Sequence, residues 1–250
     1  MISQIKKLIQ EHPEWLHSPG EIISFMKAST PASGTKGVDG GKVLLFVFEG
    51  GEVFPTLCVK TTRVYSDRDV IRRNYSNLKA LHEEVSGNEY ALMFAKPLHL
   101  YDDGEFSFCI ETVCPGATFS AEASNVELVI EKYIAWQSYL AQNTQKFQTL
   151  GNGLKLPVLT QHGDMTPDNV LVSGKNVYLI DYDYAGVSQL PGFDLFSFIS
   201  KARLSPEIER SYYDKYFPLY FKSIGALVES YEDLFPFYHA EELSRKGEKI

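Results

Sequence analysis

The stretch His162-Gly-Asp-Met-Thr-Pro-Asp-Asn169-Val-Leu-Val-Ser-Gly-Lys-Asn-Val-Tyr-Leu-Ile-Asp181 decides the reading of this chain. Residues 170–172 and 177–180 are apolar or β-branched runs on either side of Ser-Gly-Lys-Asn, the pattern of a hairpin. With 173–176 as the loop, Val172 faces Val177. The same register sets Asn169 opposite Ile180 and Asp168 opposite Asp181. Asn169 and Asp181 therefore reach the same end of the hairpin. Two hard oxygen donors meeting at a strand end make a Mg²⁺ site, most readily when phosphate supplies further oxygens. Asp164 hangs from the loop that leads into that end.

Outward from this block the grammar differs on the two sides. The N-terminal part reads mostly as strands: one over 21–27, a Gly/Ser-rich loop over 30–41, then strands over 42–49 and 53–62 joined by a turn at Gly50-Gly51. Residues 68–85 read as a helix with Val70 or Ile71, Leu78 and Leu81 on one face. Strands near 92–100 and 106–113 follow, joined at Asp102-Asp103-Gly104. At Glu111-Thr-Val-Cys-Pro-Gly116 the pattern becomes mainly helical, beginning with 126–145. This places an N-terminal lobe at 1–113, a hinge at 111–116 and a C-terminal lobe at 114–250. The fold class is α+β, with a strand-rich first lobe and a mainly helical second one. Ile2, Ile5, Leu8 and Ile9 fall at helical spacing, which predicts a short amphipathic helix packed on the body.

Composition narrows the function classes. The chain has 250 residues, 44% hydrophobic and 22% charged, the balance of a globular protein with a sizeable core. Its net charge of −8 disfavours nucleic acid and anionic membrane as partners. The apolar run over 43–48 is far shorter than a membrane span, and no apolar h-region of a signal peptide follows Met1. Cys58, Cys109 and Cys114 are odd in number and lack metal-ligand spacing. They read as reduced buried thiols, which points to the cytoplasm. Other catalytic patterns fail. Lys36 stands where a P-loop needs its first Gly, Ser86 where a zincin needs its second His, and no Gly-x-Ser-x-Gly occurs.

Phosphoryl transfer needs a cation on the donor phosphates, a metal held by oxygens and a carboxylate near the acceptor hydroxyl. Lys60, on the strand Leu57-Cys-Val-Lys60, is the candidate cation. Asn169 and Asp181 would hold the metal, and Asp164 would accept or orient the hydroxyl proton.

His162-Gly-Asp164-x₄-Asn169, then Ile180-Asp181, then Asp194-Leu, resembles the aminoglycoside phosphotransferase and choline kinase family of small-molecule kinases. The resemblance covers roughly residues 21–198. It implies a two-lobed, protein-kinase-like fold and an ATP-dependent O-phosphotransferase acting on an aminoglycoside-like compound, an amino alcohol or a sugar. By that resemblance Asp164 is catalytic, Asn169 and Asp181 bind Mg²⁺, and Lys60 contacts the donor α- and β-phosphates. The 111–116 hinge, through Glu111 and Val113, would offer backbone hydrogen bonds to the purine. The 29–41 loop, with Gly34 and Gly37, would cover the phosphates; glycines lack Cβ and approach phosphate closely. His162 is expected to brace the catalytic loop. Asp194 is expected to accept catalytic-loop amides and also to cap a helix starting at Leu195. Asp183 is read either as near the metal or as a loop residue.

One position departs from the pattern. The family's first helix usually carries a Glu that pairs with the strand Lys, and the frame of Ile71, Leu78 and Leu81 puts Asn74 there. Either another carboxylate or the nucleotide must then neutralise Lys60. The alternative function is a nucleotide-binding pseudokinase with a regulatory role. Further on, Pro218 is expected to separate two helices in an aromatic-rich segment. Asp214, Glu229, Glu232 and Asp233 read either as a wall attracting an ammonium group or as carboxylates that only solubilise the surface.

Overall fold

Val43, Leu45 and Val47 alternate along Lys42–Glu49 and all three are buried, so one face of that strand meets a core. The computed structural model describes residues 1–18, 20, 22–29, 42–62, 68–188 and 190–245. The chain divides into two units, Met1–Cys114 and Pro115–Ile250.

The first unit holds helix α1 (Ile2–Glu11), strands β1 (Ile23–Ser29), β2 (Lys42–Glu49) and β3 (Leu57–Thr62), helix α2 (Arg68–Glu84), and strands β4 (Pro97–Asp102) and β5 (Ser107–Thr112). The strands form one antiparallel sheet in the order β1-β2-β3-β5-β4. Successive strand side chains point to opposite faces, so Val59 and Lys60 look opposite ways. Val59 joins Leu45, Val47, Leu57, Phe108 and Ile110 in a core closed by Ile5 and Ile9 of α1. Both isoleucines are fully buried, each contributing about 1.5–3 kcal/mol. The opposite face carries Lys60, and Asn74 of α2 comes within hydrogen-bonding distance of it.

Two strands start four or more residues later than the sequence reading has them, and the first, read over 21–27, runs Ile23–Ser29. The third strand starts at Leu57 rather than at residue 53, because the turn after Gly50-Gly51 leaves Val53 and Phe54 exposed. Residues 89–93 form a 3₁₀ turn rather than strand: the Asn88 side chain accepts the Tyr90 amide and caps it. The strand follows only at Pro97. Residue 21 and the 30–41 loop lie outside the described residues.

The second unit contains strand β6 (Ala117–Thr118), helix α3 (Ala123–Asn143), strands β7 (Phe147–Thr149), β8 (Lys155–Pro157), β9 (Leu159–Gln161), β10 (Val170–Ser173), β11 (Asn176–Leu179) and β12 (Gly186–Ser188), and helices α4 (Phe193–Lys201), α5 (Pro206–Ser223) and α6 (Phe235–Arg245). β10 and β11 pair with Val172 opposite Val177 and Val170 opposite Leu179. β6 adds to the other edge of β10. Gly116 makes that approach possible: its φ is +139°, and a Cβ would sit 3.0 Å from the Val172 carbonyl oxygen.

The helices share an aromatic core. Tyr212, Tyr213, Tyr216, Phe217, Tyr220 and Phe221 of α5 are buried, and Tyr133 of α3 stacks on Tyr220 at 5.8 Å. Pro218 lies inside one continuous helix, contrary to the expectation of a break. It faces outward, while the buried rings at 216, 217, 220 and 221 hold both sides of the helix on the core. Packing there outweighs the missing hydrogen bond. Among the described residues no helix is long and apolar enough to cross a membrane.

Candidate active site

The loop after β9 is built from its supports. Gly163 has φ +82°, a left-handed conformation that suits glycine. The two amides beside that bend, of His162 and Gly163, donate to Asp194 Oδ2 at 2.7 Å and Oδ1 at 2.8 Å. Asp194 is fully buried, so these charge-assisted bonds hold its carboxylate inside the protein. The Asp194 amide donates to Gln161 Oε1 at 3.2 Å, and Gln161 Nε2 to the Leu190 carbonyl at 2.8 Å. The expected cap of a helix starting at Leu195 is corrected. α4 starts at Phe193 with left-handed Gly192 at its N-cap, and Asp194 sits inside the first turn. A Cβ at Gly192 would lie 2.7 Å from the Tyr238 hydroxyl.

His162 is buried, and its Nε2–H donates to the Ile180 carbonyl at 2.9 Å. Its ring meets Tyr182 edge-on, with centroids 5.7 Å apart. The imidazole thus ties the loop to the residue immediately before Asp181.

Asp164 and Asn169 are joined by side-chain geometry. Residues Pro167–Asn169 make one 3₁₀ turn that carries Asn169 back toward Asp164. Asn169 Nδ2 donates to the Asp164 carbonyl at 2.9 Å and to Asp164 Oδ2 at 3.0 Å. Only the amide nitrogen can donate to two oxygens, so the flip of this side chain is fixed and Oδ1 remains its acceptor. The Ile180 amide donates to the Asn169 carbonyl at 3.0 Å, which extends the hairpin one residue beyond β11. Asn169 and Asp181 thereby come to the same end. Asp181 has φ +67°, uncommon for a non-glycine residue; strained backbone of this kind clusters at functional sites. Asp183 occupies the turn that follows, half-buried.

Two hard oxygens, the Asp181 carboxylate and Asn169 Oδ1, suit Mg²⁺, which takes one or two protein ligands and fills its shell with water and phosphate oxygens. Among the described residues no three His, Cys, Asp or Glu side chains converge on one point. The donor set therefore fits Mg²⁺ shared with a phosphate ligand.

In the first unit, Lys60 Nζ lies 2.8 Å from Glu111 Oε1 and 3.2 Å from Asn74 Oδ1. The Lys60 and Glu111 side chains are only 7% and 6% exposed. Burial works against the Lys60 ammonium, but the Glu111 carboxylate beside it prevails and its pKa stands above the ordinary value. Burial and the same carboxylate push the thiols of Cys58 and Cys109 up, the latter to about 12. Sequence reasoning placed Glu111 in the hinge for its backbone and missed its side chain. The signal lay in the register: Lys60 pairs with Cys109 and Cys58 with Glu111, so all four share one sheet face. Val113 donates its amide to the Thr56 carbonyl at 3.1 Å and Thr112 to that of Lys96 at 3.0 Å, so both donors serve the sheet. Gly34 and Gly37 lie outside the described residues.

The expected acidic wall is already partnered in part. Arg210 lies 3.2 Å from Asp214 and 2.6 Å from Glu232, and the Tyr231 hydroxyl donates to Asp214. Glu229 and Asp233 are exposed. This arrangement favours the solubilising reading of the four carboxylates.

A family model described as the phosphotransferase enzyme family matches residues 98–226. No curated protein matches the chain by sequence. Among solved structures, the aminoglycoside phosphotransferase APH(3'')-Id from Streptomyces rimosus is 12% identical with a TM-score of 0.59, covering 97% of this chain and 98% of that one. An aminoglycoside-3'-phosphotransferase of type VIII is 14% identical with a TM-score of 0.53, covering 86% and 93%. Another structure of the Streptomyces rimosus protein, in complex with ADP and streptomycin, is 12% identical with a TM-score of 0.56, covering 97% and 98%. These likenesses establish a kinase-like fold.

Proposed function

The chain belongs to the phosphotransferase enzyme family, and we propose that it is a small-molecule kinase that transfers the γ-phosphoryl group of ATP to a hydroxyl of an aminoglycoside-like compound, an amino alcohol or a sugar. One observation carries this reading. Asn169 clamps Asp164 through its carbonyl and Oδ2, at the hairpin end that also brings Asp181. Asp164 then has its orientation set before an acceptor arrives. A positioned carboxylate can take the acceptor's hydroxyl proton as the oxygen attacks. Asp194 and His162 support the loop from beneath and need not touch substrate. Lys60, held as an ammonium by Glu111, would bind the donor α- and β-phosphates. Asn169 and Asp181 would hold Mg²⁺, whose chemistry is to neutralise charge on those phosphates. The 111–116 segment would meet the purine. With the Val113 amide committed to Thr56, purine contacts fall to other backbone groups of that segment. The three cysteines, all buried and none in a disulfide, agree with a cytoplasmic setting.

The pseudokinase alternative rested on Asn74 and is not carried forward. With Glu111 beside Lys60, the lack of a helix carboxylate no longer argues against turnover.

The test is Asp164→Ala, assayed for ADP release and phosphorylated product over a panel of aminoglycosides, choline, homoserine and sugars. Turnover is expected to fall about 10²–10⁴-fold, with ATP affinity by calorimetry unchanged. An Asp164→Ala protein that keeps wild-type turnover removes the assignment.

A further inference from the structure

The carboxylate beside Lys60 comes from the sheet, not from the helix. Lys60 stands on β3 and Glu111 on β5, adjacent antiparallel strands with Lys60 opposite Cys109 and Cys58 opposite Glu111. The two are therefore diagonal neighbours on one face, within reach of long side chains. Strand hydrogen bonds fix that separation, whatever α2 does. Asn74, at the α2 position facing Lys60, is fully buried and gives only a neutral oxygen at 3.2 Å. A second carboxylate there would put two anions on one buried cation, which burial penalises.

We propose that Glu111 is the positioning residue for Lys60 in the phosphoryl-transfer reaction, and that Asn74 is the neutral counterpart this arrangement requires. The inference rests on the phosphotransferase reading above. Glu111 acts through Lys60: it keeps the amine charged and fixes where the ammonium points. Since both groups belong to one sheet, Lys60 is held ready without any movement of α2.

Four proteins test this: wild type, Glu111→Gln, Asn74→Glu, and the double variant that moves the carboxylate from strand to helix. Two quantities are read. One is kcat and KM for ATP and for the acceptor. The other is the acetylation rate of Lys60 in the folded protein, followed by mass spectrometry of the peptide that contains it.

Glu111→Gln is expected to lower kcat/KM for ATP about 100-fold, the loss typical of a misplaced reacting group, with KM for the acceptor unchanged. The double variant is expected to recover most of that loss, which a merely structural Glu111 would not allow. Lys60 is expected to acetylate faster in Glu111→Gln, where the amine has lost its carboxylate, and slowly again in the double variant. Asn74→Glu alone is expected to reduce turnover. A Glu111→Gln protein within twofold of wild type overturns the proposal, as does a folded double variant no better than Glu111→Gln. If Glu111→Gln does not fold, the double variant and Glu111→Asp decide: folded, active proteins support the proposal and folded, inactive ones overturn it. If wild type transfers phosphate to no acceptor, the functional reading fails by itself. Lys60 labelling then decides the pairing, and equal rates in all four proteins overturn it.

Discussion

Replacing Asp194 by Asn keeps the size of a fully buried side chain and removes its charge. Its two oxygens accept the amides of His162 and Gly163 at 2.7 and 2.8 Å. An Asn can accept only one of them and sets its own NH₂ against the other. A hydrogen bond to a charged group contributes about 1.5–3 kcal/mol, and an orphaned buried amide costs about 1–3 kcal/mol. Relief of the buried charge's own desolvation offsets part of this. The expected net loss is about 2–4 kcal/mol of stability in the second unit, a large share of the ~5–15 kcal/mol of an ordinary domain. The assay is urea unfolding followed by tryptophan fluorescence in a Trp15→Phe background, where Trp136, buried in α3, is the remaining reporter. Turnover should fall as well, because the loop these amides belong to carries Asp164. Unchanged unfolding with abolished turnover would refute the reasoning, since it would make Asp194 a participant in the chemistry rather than the support of the loop.

Asp181→Asn keeps a residue type tolerant of φ +67° and removes the anionic oxygen. Calorimetry with ATP should show a raised Mg²⁺ requirement at unchanged melting temperature; identical binding with and without Mg²⁺ in both proteins would count against the metal site. Pro218→Ala restores an amide donor on the outward face of α5 and should stabilise the protein by about 1–3 kcal/mol, read as a higher urea midpoint; an unchanged or lower midpoint would mean the helix is built around the proline. His82 donates from Nε2 to the Ala95 carbonyl, and burial holds its pKa below 6.5. A lowered pKa contributes stability that is present above 6.5 and lost as pH falls through the folded value. Urea midpoints should therefore drop between pH 7 and pH 5, and His82→Gln should flatten that drop. His99, also lowered by burial, contributes to what remains. A slope identical to wild type would sink the assignment to His82.

The hairpin at 170–179 was legible because two apolar runs flank a four-residue polar turn, and the register follows from counting. Asn74 was legible as the α2 position facing Lys60, because helical spacing from Ile71, Leu78 and Leu81 leaves no other place for it. The direction of the Glu111 side chain was not. It depends on which β3 residue faces which β5 residue, a long-range register that no local pattern encodes. The partners of Asp194 lie over thirty positions away, so only its proximity to a helix start could be read, and that suggested a cap. Pro218 misled in the opposite sense. A local rule against proline in helices was overruled by aromatic packing on either side of it. The acidic residues near 214–233 stayed open between a cation wall and a solvated surface: Arg210 pairs with Asp214 one turn along α5, but only the meeting of α5 with the 3₁₀ turn at Tyr231–Leu234 brings it to Glu232 as well.

The position of α1 bears on how the protein is made. Ile5 and Ile9 close a core whose other side includes Phe108 and Ile110, and Gln4 reaches the Tyr101 hydroxyl across 97 positions of chain. During synthesis the first helix is finished long before the strand it must cover exists. At ~5–20 residues per second the wait is roughly 5–20 s. Until then β1–β3 offer the helix only part of its core, so the first unit ripens only when its last strand leaves the ribosome, and slow codons between β1 and β5 would lengthen the wait.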